Sequence, residues 1–162
     1  MLVLGVDPGS SVTGFGLVEQ ISGKLIYCHD EQLKLPARAD VGKKLALLYD
    51  RTADLLDRFK PDQVAFEGIF YGSNVKSMLV LGQARGAVMV AAARYGLKIF
   101  EYPPATVKQT VAGYGKATKD QIQHMVKLLL KVEKVSGEHA ADALAVAICH
   151  HHQTRLQGWP SA

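Results

Sequence analysis

The chain has 162 residues, 19 Lys and Arg against 15 Asp and Glu, and a formal net charge of +4. That length fits one domain able to bury its own core, and it excludes a two-lobed kinase or ATPase. Hydrophobic residues at 48% and charged residues at 21% exclude a disordered chain, while the apolar runs are read as shorter than the ~18 residues of a membrane span and Asp7 comes too early for a signal peptide.

Leu2-Val3-Leu4-Gly5-Val6 predicts a buried strand, turned by Asp7-Pro8-Gly9. Gly14-Phe15-Gly16-Leu17-Val18 and Lys24-Leu25-Ile26-Tyr27-Cys28 predict two more strands, with a hairpin turn at Ser22-Gly23. Leu45, Leu48, Thr52, Leu55 and Phe59 recur at helical spacing, and Pro61 stops that helix. Gln63-Val64-Ala65-Phe66 predicts a fourth strand, ending in Glu67-Gly68. From about Ser77 to Tyr95 the chain is apolar nearly all round and rich in small residues, with Gly96 as its stop. Such a helix is expected to be buried on more than one side, under the sheet or against another subunit.

Lys98-Ile99-Phe100-Glu101-Tyr102 predicts the fifth strand, closed by Pro103-Pro104. A short helix follows from Ala105 to Ala112, and a second starts at Thr118, whose spacing to Gln121 is that of a capping box. Ile122, Met125 and Leu129 are its expected core face. The last helix runs from Glu138 to about His151, with Ala141, Leu144, Ala145 and Ile148 inward. The expected architecture is α/β, a central five-stranded mixed sheet flanked by helices, in one domain over 1–153 with a flexible tail over 154–162. Cys28 and Cys149 lie far apart with no C-x-x-C, as in a reduced, cytoplasmic protein.

Charge and acids are both unevenly placed. From Leu97 to Lys134 seven lysines face three acids, and the rest of the chain is neutral. A basic segment beside a neutral one suits a polyanion-binding surface, as it also suits a solvated lysine-rich helix face. Asp7 and Glu67 end two apolar strands, and ligands bind at the carboxyl ends of such strands. His139 and Asp142 are three apart on the last helix and share a face; Glu138 and Asp142, four apart, can do the same. Carboxylates gathered at one point stay ionised only with cations between them, and hard oxygen ligands suit Mg²⁺ or Mn²⁺. A pair of such ions clamps the attacking and leaving oxygens of a phosphoryl displacement. His150, His151 and His152 point in different directions on a helix, so they are read as a favourable helix C-terminus and not as one metal site.

Gly5-Val6-Asp7-Pro8-Gly9, then Thr13-Gly14-Phe15-Gly16, resembles the opening of the ribonuclease-H-like superfamily. Within it the chain resembles the RuvC family of bacterial Holliday-junction resolvases. The matching stretches include Glu67-Gly68-Ile69-Phe70, Leu81-Gly82-Gln83-Ala84-Arg85-Gly86, Val107-Lys108-Gln109-Thr110-Val111 and Ala140-Ala141-Asp142-Ala143-Leu144-Ala145. The resemblance implies a divalent-metal endonuclease with two Mg²⁺ or Mn²⁺ ions per site, held by Asp7, Glu67, Asp142 and His139, the last where many relatives carry Asp. It implies that Lys108 and Lys119 act near the scissile phosphate and that Phe70 contacts bases, a role its neighbour Tyr71 can share; Lys76 and Lys116 join them as DNA contacts. It further implies a four-way DNA junction as substrate, a homodimer, and the branch-migration motor of RuvA and RuvB as partner; the small-residue helix from Gly82 to Ala93 is the candidate for the dimer contact. Two rivals stand beside it: a catalytically inactive junction-binding relative, and an actin-like or sugar-kinase-like ATPase, which shares the Asp-x-Gly opening but needs a second lobe.

Overall fold

Successive side chains of a strand point to opposite faces of the sheet, and the central strands are buried on both. The computed structural model describes residues 1–68 and 75–156. In β1 (Leu2–Asp7), Leu4 and Val6 join one core while Val3 joins the other. β2 (Val12–Ile21) and β3 (Lys24–Lys34) continue antiparallel, joined by Ser22 and Gly23 at φ 49° and 78°. Two successive positive φ values give the tight hairpin turn that the sequence predicts. Both strands outrun their apolar cores, with polar residues such as Glu19, His29 and Gln32 continuing the ladder.

α1 (Val41–Phe59) starts at Asp40, whose side chain accepts from the Lys43 amide at 2.9 Å. Then come β4 (Gln63–Glu67), α2 (Val75–Arg94), β5 (Lys98–Tyr102), α3 (Pro104–Ala112), α4 (Lys119–Leu130) and α5 (Glu138–Leu156). The strand order is β3-β2-β1-β4-β5, with β4 parallel to both β1 and β5. This is the expected five-stranded mixed sheet. α1 and α2 cover one face; α3, α4 and α5 cover the other.

α5 lies closer to the sheet than side chains normally permit. A Cβ on Gly5 would collide with the Ala143 carbonyl and lie 2.8 Å from the Ala147 amide nitrogen. One on Gly14 would collide with the His139 carbonyl, and one on Gly16 would lie 2.6 Å from the Leu144 nitrogen. Gly5 pairs with Gly16, and Asp7 with Gly14, across β1 and β2. The helix therefore rests on a floor of bare backbone, which its own alanines at 140, 141, 143, 145 and 147 match.

Several expectations are corrected. α4 buries Ile122, as expected, together with Val126 and Leu130, and Met125 packs partly buried against the same core, whereas Leu129 is exposed. The capping box of Thr118 and Gln121 is present. α5 continues to Leu156, past the boundary set at 153, and Thr154 is buried with its hydroxyl donating to the His150 carbonyl at 2.9 Å. His150 and His151 are buried and do not form the C-terminus of α5, which continues past them. The Tyr102 hydroxyl meets His150 Nδ1 at 2.8 Å, and His150 Nε2 meets Gln63 Oε1 at 2.5 Å. Burial first, then the charge of His151, pushes the His150 pKa down to about 4, so this ring is a neutral core strut. His151 Nε2 donates to the Val18 carbonyl at 2.9 Å, so the neighbours have separate partners. Cys149 is core, and both cysteines are free.

α2 departs most. Its length and composition are those of a membrane span, contrary to the reading that no run is long enough. It is not enclosed under the sheet: Ala84, Val88, Ala91 and Ala92 pack inward, and Val75, Leu79 and Val90 face outward. At 100° per residue Val75, Leu79, Gly82, Gly86 and Val90 form one stripe opposite the packed one.

Candidate active site

β1 and β4 are parallel neighbours, with Gly5 opposite Ala65 and Val6 opposite Phe66. One step on, Asp7 and Glu67 leave the sheet on the side that carries Gly5 and Ala65, beneath the start of α5. The glycine floor lets α5 descend there, which brings His139 and Asp142 over the same strand ends. His139 Nδ1 lies 2.6 Å from Asp7 Oδ2. A carboxylate only accepts, so Nδ1 carries the proton in this bond.

Beside this pair is a cleft of about 190 Å³, lined by Glu67, Asp142, Lys108 and Lys119 among others. Lys108 comes from α3 and Lys119 from the first residue of α4, whose capping box fixes where that helix begins. Lys119 Nζ is paired with Glu138.

The acids report one another's presence. Burial first, then Asp7 and Asp142, pushes the Glu67 pKa up to about 7. Burial first, then Asp7, pushes Asp142 up to about 6. Burial also raises Asp7, against the opposing bond to His139. The lysines work the other way: Lys119 lowers both Glu67 and Asp142, and Lys108 lowers Glu67. Among the described residues no three His, Cys, Asp or Glu side chains are grouped closely enough to hold one ion. The donors nevertheless fit hard divalent cations in kind, because their carboxyl groups are half-buried and mutually repelling, and positive charge between them relieves that repulsion.

The sign of the pH effect follows. Carboxyl pKa values raised above the ordinary 3.8 and 4.5 mean that the fold holds protons more tightly than the unfolded chain does. The stabilisation from those protons is complete below about pH 4 and lost as pH rises through 6 and 7. The melting temperature of metal-free protein should therefore fall between about pH 5 and about pH 8, and saturating Mn²⁺ should flatten the profile. A thermal-melt series with and without Mn²⁺ checks this; identical profiles would count against cation capture by these acids.

Two further residues support the site from behind. Gln32 on β3 accepts from the His139 amide at 3.1 Å and donates to the Ser136 carbonyl at 2.8 Å, fixing the entry to α5. No local signal marks it, since its partners lie over a hundred residues away. Arg85 Nη1 donates to the Glu67 carbonyl at 2.8 Å. Its signal was present: between Ser77 and Ala93 it is the single charged residue. Lys76 and Lys116 are exposed and do not line the cleft. Phe70 and Tyr71 lie outside the described residues.

Comparison with known proteins decides the family. The model of the family described as crossover junction endodeoxyribonuclease RuvC matches residues 3–150. The chain belongs to the RuvC family. A RuvC from Geotalea uraniireducens is 43% identical over 158 residues, covering 98% of this chain and 92% of that relative. One from Legionella pneumophila is 46% identical over 151 residues, covering 93% and 87%. The solved structure of Thermus thermophilus RuvC in complex with Holliday junction substrate superposes with a TM-score of 0.88 at 31% identity, covering 96% of each chain. The α/β fold is thus the ribonuclease-H-like fold of RuvC, and the chain is a nuclease of a metal-dependent family.

Proposed function

We propose that this chain resolves four-way DNA junctions as a homodimer, using two Mg²⁺ or Mn²⁺ ions per site held by Asp7, Glu67, Asp142 and His139. The observation that carries the reading is the cleft where Glu67 and Asp142 meet Lys108 and Lys119 beside the Asp7–His139 pair. When bound, the cations supply Lewis acidity, activating water and stabilising charge on the phosphate. The chain does the rest. Asp7 and Glu67 provide negative charge from the ends of β1 and β4, and Asp142 from α5. Lys108 and Lys119 hold the non-bridging oxygens of the scissile phosphate, Lys119 exchanging its Glu138 partner for the DNA. Water attacks phosphorus, the bond to the 3′ oxygen breaks, and that oxygen takes a proton, leaving 5′-phosphate and 3′-hydroxyl ends. Lys76 and Lys116 add outer phosphate contacts, and Phe70 or Tyr71 stacks on a base at the crossover.

The test uses a labelled synthetic junction and a linear duplex of the same sequence, with each metal. Paired symmetric nicks in the junction alone are expected. Equal nicking of the duplex, or tight binding with no nicks, would sink the reading. Hydrolysis of ATP without any DNA product would favour the ATPase rival.

His139 sets a metal preference within this scheme. Imidazole is softer than carboxylate, so Mn²⁺ is favoured over Mg²⁺. His139→Asp should raise the rate in Mg²⁺ several-fold relative to Mn²⁺. Equal wild-type rates in the two metals, unaltered by the substitution, would overturn this.

The outer stripe of α2 is the proposed dimer contact, presenting two-fold-related sites to two strands. Ala87 is half-buried in the protomer, so Leu79, 62% exposed, is the cleaner probe. Leu79→Asp should convert the sedimenting dimer to monomer without lowering the melting temperature of the protomer. An unchanged dimer would remove this stripe from the contact. Partnership with RuvA and RuvB, and a cytoplasmic location beside the chromosome, complete the proposal.

A further inference from the structure

Arg85 is an anomaly in its own helix. It is 5% exposed, midway along α2, where Ala84, Val88, Ala91 and Ala92 form a packed apolar seam. A buried guanidinium is costly unless its groups are engaged, and an aliphatic residue would fill the seam without that cost.

Its contacts join three elements at one point. Nη1 donates to the Glu67 carbonyl at 2.8 Å, at the last residue of β4. Nη2 lies 2.7 Å from Glu101 Oε1 on β5, an ion pair without hydrogen-bond alignment. The guanidinium carbon sits 4.7 Å over the Phe66 ring, one residue before Glu67. The plane of the group is thereby set by the ring, its depth by the carbonyl and its rotation by the carboxylate.

We infer that Arg85 is a positioning residue for the metal site: it fixes the backbone at Glu67, and so the aim of the Glu67 carboxylate, according to how α2 is seated. The reasoning is geometric. Glu67 and Arg85 are on opposite sides of the sheet in function: the Glu67 side chain enters the cleft, while its carbonyl is gripped from α2. A small rotation of the peptide after a strand end swings the preceding side chain. The sheet holds the other end of that same peptide through the Gly68 amide, which donates to the Tyr102 carbonyl at 2.8 Å. Arg85 supplies the remaining restraint. Because the other side of α2 carries the exposed stripe of Val75, Leu79 and Val90, whatever covers that stripe acts on Glu67 through one side chain. Lysine cannot replace it, since a single ammonium lacks the fork that spans a carbonyl and a carboxylate.

The inference rests on Glu67 being a metal ligand, and the experiment separates the two claims. Arg85→Lys, Glu101→Gln and Glu67→Gln are compared with wild type by three measurements. These are Mn²⁺ binding to DNA-free protein by electron paramagnetic resonance, kcat and KM for junction cleavage, and thermal melting. Arg85→Lys should weaken Mn²⁺ binding and lower kcat by about 10–100-fold, the usual range for an outer-shell partner, with KM within about twofold of wild type. Glu101→Gln should move the same two quantities in the same direction by a few-fold, because the carbonyl contact survives. An Arg85→Lys protein that melts lower but keeps wild-type Mn²⁺ affinity and kcat has lost only packing, and the inference falls. If Arg85→Lys fails to fold, Glu101→Gln decides: wild-type Mn²⁺ affinity and kcat in it overturn the inference. If Glu67→Gln leaves Mn²⁺ binding unaltered, the metal-ligand reading itself fails, and the inference with it.

Discussion

Asp7→Asn should lower junction cleavage by about a thousandfold or more and leave the junction bound. The substitution keeps the shape of the side chain and an oxygen for the His139 Nδ1 proton, so the 2.6 Å contact can persist. What it removes is one negative charge from the set proposed to hold the cations. Losing the cations' hold on the transition state costs several kcal/mol, and about 4 kcal/mol is a thousandfold. Lys108 and Lys119 stay in place for the phosphates, so affinity persists. A second consequence separates charge from damage. The Asp7 charge helps to raise Glu67 and Asp142, so both should titrate lower in the variant. The metal-free variant should consequently melt no lower than wild type at about pH 8. Single-turnover cleavage, a metal-free gel shift and a thermal melt together test this. Cleavage within about tenfold of wild type would remove Asp7 from the machinery.

Gly14→Val should cost the protein both its stability and its site. The added Cβ would meet the His139 carbonyl and lie 2.8 Å from the Ala140 nitrogen, both of them main-chain atoms of α5. No side chain can turn aside to make room. Overpacking of this kind costs roughly 1–3 kcal/mol where neighbours relax, and a backbone obstacle places it at the upper end or beyond. For a domain of this size ~3 kcal/mol lowers the melting temperature by about 10 °C. The surviving fold must lift α5, and with it His139 and Asp142, so Mn²⁺ binding should be lost even below the melting point. A variant that melts near wild type and binds Mn²⁺ normally would show that α5 does not need this floor.

The parts of the molecule legible in the sequence are those fixed by local rules. Leu4, Val6, Val64 and Phe66 announce strands through their neighbours, and Asp7 and Glu67 stand out because they end those strands. Thr118 and Gln121 mark a helix start within four residues. Misreadings arose where the deciding partner is remote. Leu129 fits an inward stripe as well as Val126 and Leu130 do until packing against α3 and α5 chooses the phase, which leaves Met125 at the margin of the core. His150 and His151 look like a helix C-terminus until Gln63, Tyr102 and Val18 are found around them. Composition suggested that α2 was enclosed, yet composition cannot state which half of an apolar helix has a neighbour. Gln32 and Arg85 act through contacts that no spacing rule reaches.

The floor beneath α5 also divides the site into a fixed jaw and a sliding one. Asp7 and Asp142 are gauged by main chain resting on main chain, a separation set by atomic radii and blind to rotamers. Glu67 ends its strand on a peptide held by the Tyr102 carbonyl on one side and by the Arg85 guanidinium on the other, and it can shift with the seating of α2. Cations of different radius should accordingly be accommodated by travel of the Glu67 side alone, with the α5 side acting as the anvil.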